Sequence, residues 1–174
     1  MSKSDKDLLP GTSATRWRAT AQEKPLGQEQ QMAPASAEGR TVRYLNPDEL
    51  YQPARHGFSQ VTIVPAGTEL VYVSGQMAID VDGKILAADF EGQVKGAFAN
   101  LRLALEAVGS SMDHVVKVTI LSADHDGERE RIVARETNAA FPGSNKPAST
   151  LIPVPRLALD GIVFEIDAVA VLPS

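Results

Sequence analysis

The chain of 174 residues contains no cysteine. That absence excludes disulfides, thiolate zinc sites and a cysteine nucleophile, and it suits a reducing, cytoplasmic setting. Nor does any apolar run approach the roughly 18 residues needed to cross a bilayer, so no membrane partner is expected. The first ten residues, Met1–Pro10, are polar and charged and lack the apolar stretch of a secretory signal. A surplus of positive charge is missing too, since the formal net charge is −5. Residues 1–40 hold six Lys/Arg against five Asp/Glu, whereas residues 41–174 hold eleven against seventeen. A domain this acidic repels phosphate backbones on average, so no nucleic-acid partner is expected. His56, His114 and His125 show no metal-ligand spacing, and neither a glycine-rich phosphate loop nor a nucleophile elbow is present. No metal and no cofactor is therefore expected.

What is present divides into a tail and one domain. Residues 1–40 are rich in Ser, Thr, Gln, Gly, Pro and Lys and hold no periodicity, which predicts an extended or disordered N-terminal tail. The alternative is an arm anchored on another subunit by Leu8, Leu9 and Trp17. Residues 41–174 are patterned. Short strands are predicted at Val42–Leu45, Gln60–Val64 and Leu70–Ser74, the last two separated by the turn Pro65-Ala66-Gly67. Asp82-Gly83 predicts a hairpin turn leading into a further short strand around Ile85. Asp89 is a natural N-cap for a helix whose apolar residues fall at Phe90, Val94, Ala97, Phe98, Leu101, Leu105 and Val108, with Gly109 placed to close it. Val115–Leu121 is a β-branched run and predicts a buried strand. A charge-dense helix follows over 126–141. Ser149–Val154 is extended, and its prolines confine it to an edge. The order β-β-β-β-α-β-α-β-β predicts an α+β fold with two helices on one face of a mixed sheet.

The last predicted strand, Ile162–Leu172, is almost entirely apolar, with Glu165 and Asp167 as its exceptions. Two residues apart on a strand means one face. Side by side on a strand built for burial, two carboxylates are costly unless something solvates or pairs them. In a cleft, repulsion raises one pKa, and the pair could then donate a proton or hold a water. Alternatively one acid pairs with Lys117, Arg156 or a residue of another chain. Gly75, in Ser74-Gly75-Gln76 at a strand end, would allow close backbone approach to a ligand.

Six separated segments together resemble the RidA/YjgF family over about residues 56–172. They are Phe58-Ser59-Gln60; Val73-Ser74-Gly75-Gln76; Gln93, Asn100-Leu101 and Gly109; Val116-Lys117-Val118-Thr119; Pro147-Ala148-Ser149-Thr150 with Arg156-Leu157; and Glu165-Ile166-Asp167-Ala168. The resemblance implies a chorismate-mutase-like (YjgF-like) α+β fold and a homotrimer with ligand clefts where subunits meet. In the family's deaminases an arginine holds the substrate carboxylate, and a glutamate of the last strand positions the water that attacks a reactive imine. Carried over by motif, that acid falls on Asp167, the catalytic candidate. The arginine falls on Ser149 and a family tyrosine on Phe58. Phe58, Gly75, Ser149, Thr150 and Glu165 are the implied substrate-binding set.

A serine replaces neither the charge nor the two-pronged geometry of an arginine. The expectation is therefore a RidA-like hydrolase or deaminase acting on an imine, enamine or related small metabolite other than the usual 2-imino acids, with preference for neutral or cationic ligands. The alternatives are a non-catalytic trimer that binds a metabolite or a partner protein and, less in keeping with an acidic domain, an endoribonuclease.

Overall fold

The computed structural model describes residues 41–173; the tail expected over 1–40 lies outside them. A four-stranded sheet runs in the order β3 (Leu70–Gln76), β6 (Phe164–Val171), β4 (Val115–Ala123), β5 (Ala148–Val154). β6 is antiparallel to both β3 and β4, while β4 and β5 are parallel. β1 (Arg43–Leu45) and β2 (Val61–Ile63) form a separate antiparallel pair. Helices α1 (Phe90–Glu106) and α2 (Gly127–Ala140) pack against each other, and α1 lies on β3 and β6. This is an α+β mixed sheet with two helices on one face, as the pattern predicts. Among the described residues no helix is long and apolar enough to cross a membrane.

Local chemistry explains the elements. Asp89 has extended backbone, and its carboxylate accepts the Gly92 N–H at 2.8 Å, satisfying an orphan donor of the first turn of α1. Val94, Ala97, Phe98, Leu101 and Leu105 then form a buried stripe. Gly109, at φ +76°, lets the chain reverse so that the Ser110 N–H reaches the Leu105 carbonyl at 2.9 Å. Val108, predicted in the stripe, lies beyond the last turn and is 49% exposed. Strand alternation completes the core: Val118 and Ile120 of β4 and Phe164, Ile166, Ala168 and Ala170 of β6 point at the helices. Truncating Leu101 there should cost about 2–5 kcal/mol.

Two predicted elements differ. The strand around Ile85 is only a single bridge between Ile79 and Ile85. Asp80 takes the N–H groups of Asp82 and Lys84 on its own carboxylate, at 3.0 and 2.9 Å, so a tight capped turn replaces further pairing. The last strand begins at Phe164 and not at Ile162, because Gly161 turns the chain at φ +83° and the Ile162 N–H bonds back to the Leu159 carbonyl. Buried Gln93 holds that turn: its amide donates to Gly161 and Ala87, and its oxygen accepts the Val163 N–H.

Candidate functional site

The helices cover one face of the sheet, and the other face is bare in the single chain. Register places its residues in rows. Tyr72, Val169, Lys117 and Ala148 form one row across β3, β6, β4 and β5. Asp167, Thr119 and Thr150 form the next, and Glu165, Leu121 and Ile152 the one beyond it. Tyr72 is 76% exposed, and Ile152 is exposed as well. An apolar sheet face crossed by a polar stripe is the feature that stands out.

The two acids of β6 have different surroundings. Asp167 accepts the Thr119 backbone N–H at 3.2 Å. Glu165 has no hydrogen-bonding partner among the described residues; its carboxylate lies over the backbone of Gly75, where a Cβ would stand 1.8 Å from Oε1. Only glycine admits the side chain there, at a point where the β3–β6 register shifts. Burial, reinforced by the Asp167 charge, raises the Glu165 carboxyl above its ordinary value. Neither acid joins an ion pair among the described residues.

The two candidate counter-ions are spent elsewhere. Arg156 pairs with Asp160 at 3.0 Å. Lys117 shares the face with the acids but donates to the Val118 carbonyl and to the Thr150 hydroxyl, both at 2.8 Å. Burial lowers its ammonium below the usual lysine value, and the Asp167 carboxylate acts in the opposite sense. With three donors and two acceptors, Lys117 keeps one N–H to offer.

Gly75, Thr150, Glu165 and Asp167 are thus brought together on one face, with Lys117 and Thr119 added. Ser149 pairs in register with Val118, a core residue, and stands two positions before Leu151, which packs on the core. Its side chain therefore leaves the strand on the helix side, opposite Thr150. Phe58 is half-buried beside it: Ser59 bridges Ala148, and its N–H bonds to the Pro147 carbonyl at 2.9 Å. Phe58 thus lies on the segment flanking the start of β5, and Ser149 faces away from the acid stripe. The site set inferred from motifs omits Lys117 and Thr119, although strand parity within Val115–Leu121 could have found them. A lysine inside a β-branched run is itself a signal.

Two other features lie away from this face. Glu130 of α2 bridges two histidines, with Oε1 3.2 Å from His56 Nδ1 and Oε2 3.2 Å from His125 Nε2. Tyr51 Oη lies 2.6 Å from His56 Nε2, and Ser122 Oγ 3.0 Å from His125 Nδ1. A cleft of about 710 Å³ opens between β1, the β2–β3 turn and the far end of β6, lined by residues including Tyr44, Asp113 and His114. It contains none of the predicted site residues, so concavity in the single chain and the unpaired acids mark different places. Among the described residues no cluster of His, Asp and Glu is arranged to hold a metal ion.

Comparison with known proteins places the chain in a group. Residues 50–172 match the model of the family described as Endoribonuclease L-PSP. A RutC family protein of Pyrococcus horikoshii is 33% identical over 108 residues, which is 62% of this chain and 82% of that protein. A human protein named 2-iminobutanoate/2-iminopropanoate deaminase is 30% identical over 115 residues, 66% of this chain and 79% of that one. The crystal structure of YyfB from Yersinia pestis, described as a protein of unknown function of the conserved Rid family, superimposes with a TM-score of 0.72. It is 26% identical, over 75% of this chain and 98% of that chain.

Proposed function

The chain belongs to the endoribonuclease L-PSP family, the YjgF/RidA group, and from that premise we propose that it hydrolyses an imine or enamine on the bare face of its sheet. One observation carries the reading: two carboxyls sit side by side on the bare face, burial raises that of Glu165, and among the described residues no cation is paired with either. Structural carboxylates are ordinarily paired or solvated, and unpaired ones set side by side gather at functional sites. Asp167, held by the Thr119 N–H, orients the attacking water. Thr150 holds polar atoms of the substrate, and Gly75 leaves room for Glu165.

The same reading calls for a homotrimer. A face carrying Tyr72, Leu121, Ile152 and Val169 needs an apolar cover, and further copies of the chain supply it. Ser149, turned from the acid stripe, and Phe58 on the flanking segment would then reach the substrate only around the β5 edge, where a further copy closes the cleft and completes the substrate-binding set. A serine at that edge supplies no charge for a substrate carboxylate, so imines and enamines without one are the better substrates. The net negative charge favours a small molecule over RNA, and the absence of cysteine suits the cytoplasm.

The test is ammonia release from freshly generated imines, with and without an α-carboxylate, by wild type, Asp167→Asn and Ser149→Arg. Turnover of the uncharged imines, lost in Asp167→Asn, supports hydrolysis. Turnover of 2-imino acids that rises in Ser149→Arg assigns that edge the anchoring role. No turnover by wild type across the panel overturns the reading in favour of a binding protein.

A further inference from the structure

The two acids of the stripe are not equivalent, and their partners differ in kind. Asp167 accepts a backbone N–H and lies on the face with the Lys117 ammonium. Glu165 accepts no hydrogen bond among the described residues, stands one row further from Lys117 than Asp167 does, and has its carboxyl packed against the Gly75 backbone. The titratable groups on this face are Tyr72 from β3, Lys117 from β4, and Glu165 and Asp167 from β6; β5 contributes Thr150 and no charge. Along a strand, residues two apart are separated by roughly 7 Å, enough for a small planar group between the two carboxyls.

We infer that Glu165 is a second catalytic residue, the proton donor to the departing nitrogen, and that Lys117, tethered to Thr150, is the positioning residue that keeps Asp167 as the base. The inference rests on the hydrolysis proposed above and assigns its second half. Asp167 takes a proton from water as the new C–O bond forms on the iminium carbon, and the C=N π pair moves to nitrogen. The resulting amino alcohol is neutral. Glu165 gives its proton to that nitrogen, the C–N bond breaks with its electron pair leaving on ammonia, and the hydroxyl proton returns to Glu165 as the carbonyl forms. The proton on Asp167 passes to ammonia. One iminium ion and one water give one carbonyl compound and one ammonium ion, and both acids end as they began. The upward displacement of the Glu165 carboxyl by burial and by Asp167 agrees with a group that carries a proton to donate.

The experiment compares wild type, Glu165→Gln and Lys117→Met on imines that release ammonia and on imines that release a weakly basic aromatic amine. Loss of the proton donor should lower turnover about 10²-fold for the ammonia-releasing substrates and far less for those whose amine leaves unaided. It should also flatten the alkaline limb of the pH–rate profile. Lys117→Met should shift that profile while keeping the leaving-group pattern. As a readout without turnover, the Glu165 carboxyl followed by NMR should titrate above 4.5 and fall in Asp167→Asn. Equal losses on both substrate classes, or an alkaline limb unchanged in Glu165→Gln, overturn the inference and leave hydrolysis standing. A wild type inert towards every imine removes both.

Discussion

Glu130 and Glu165 are the same side chain in opposite settings. Glu130 stands on α2, 41% exposed, with a histidine against each oxygen. It ties the segment that carries His56 to α2 and to the end of β4, and that is a structural role. Glu165 stands on β6 with glycine beneath it, a second carboxyl beside it and no hydrogen-bonding partner among the described residues. On the proposed reading, pairing, more than burial, separates an acid that holds the fold from one free for chemistry. A partnered carboxylate has its lone pairs occupied and its charge answered, whereas an unpartnered one keeps both for a ligand.

The comparison can be broken most directly at Asp167. Asn in its place should lower imine turnover about 10²–10⁴-fold with little change in melting temperature; a normal rate would return the stripe to a structural role. Next in size is Gly75→Ala. The added carbon would meet Glu165 Oε1 at 1.8 Å, so the carboxylate must swing away, and turnover should fall by up to about 10²-fold in a chain that still folds. Circular dichroism melts beside kinetics separate the two effects.

A smaller effect concerns pH. Glu165 holds its proton more tightly folded than unfolded, which reverses the usual carboxylate sign. Between its unfolded value and its higher folded value the native state binds more protons, so this group's contribution to stability declines as pH rises through that window. Glu165→Gln should therefore gain in melting temperature relative to wild type as pH is raised above 4.5. A constant difference would count against it. Smallest is Glu130→Gln. Its partly exposed pairs are screened by solvent, so the loss should be about 1 kcal/mol or less, read by chemical denaturation, with turnover unchanged. A large loss of activity there would dissolve the distinction between the two acids.

Much of this arrangement was legible in the chain because it is local. Asp89, the stripe from Val94 to Leu105, and Gly109 announce α1 through contacts within four residues. Strand parity alone puts Glu165 and Asp167 on one face. The site is harder to read, because it depends on register between distant strands. Nothing near Lys117 in sequence says that Thr150 will receive its ammonium, or that Thr119 will face Asp167. Ser149 and Thr150 are neighbours that motif matching treats alike, yet the pairing of Val118 with Ser149 sends them to opposite sides of the sheet. The histidines, unpromising by spacing, meet only because Glu130 lies 74 residues after His56 in the chain and beside it in the fold.

The bare face carries two carboxyls and one ammonium, and the odd acid has a consequence for association. Covering the face with further copies removes the solvent that tolerates the extra negative charge, so the cheapest neutralisation is a proton on Glu165. Self-association should then draw protons from the buffer. The heat of dilution would vary with the buffer's own ionisation enthalpy, and mildly acid solution would favour the larger species. In the homotrimer proposed above, the shortage of one lysine would make the number of chains in the particle a function of proton activity.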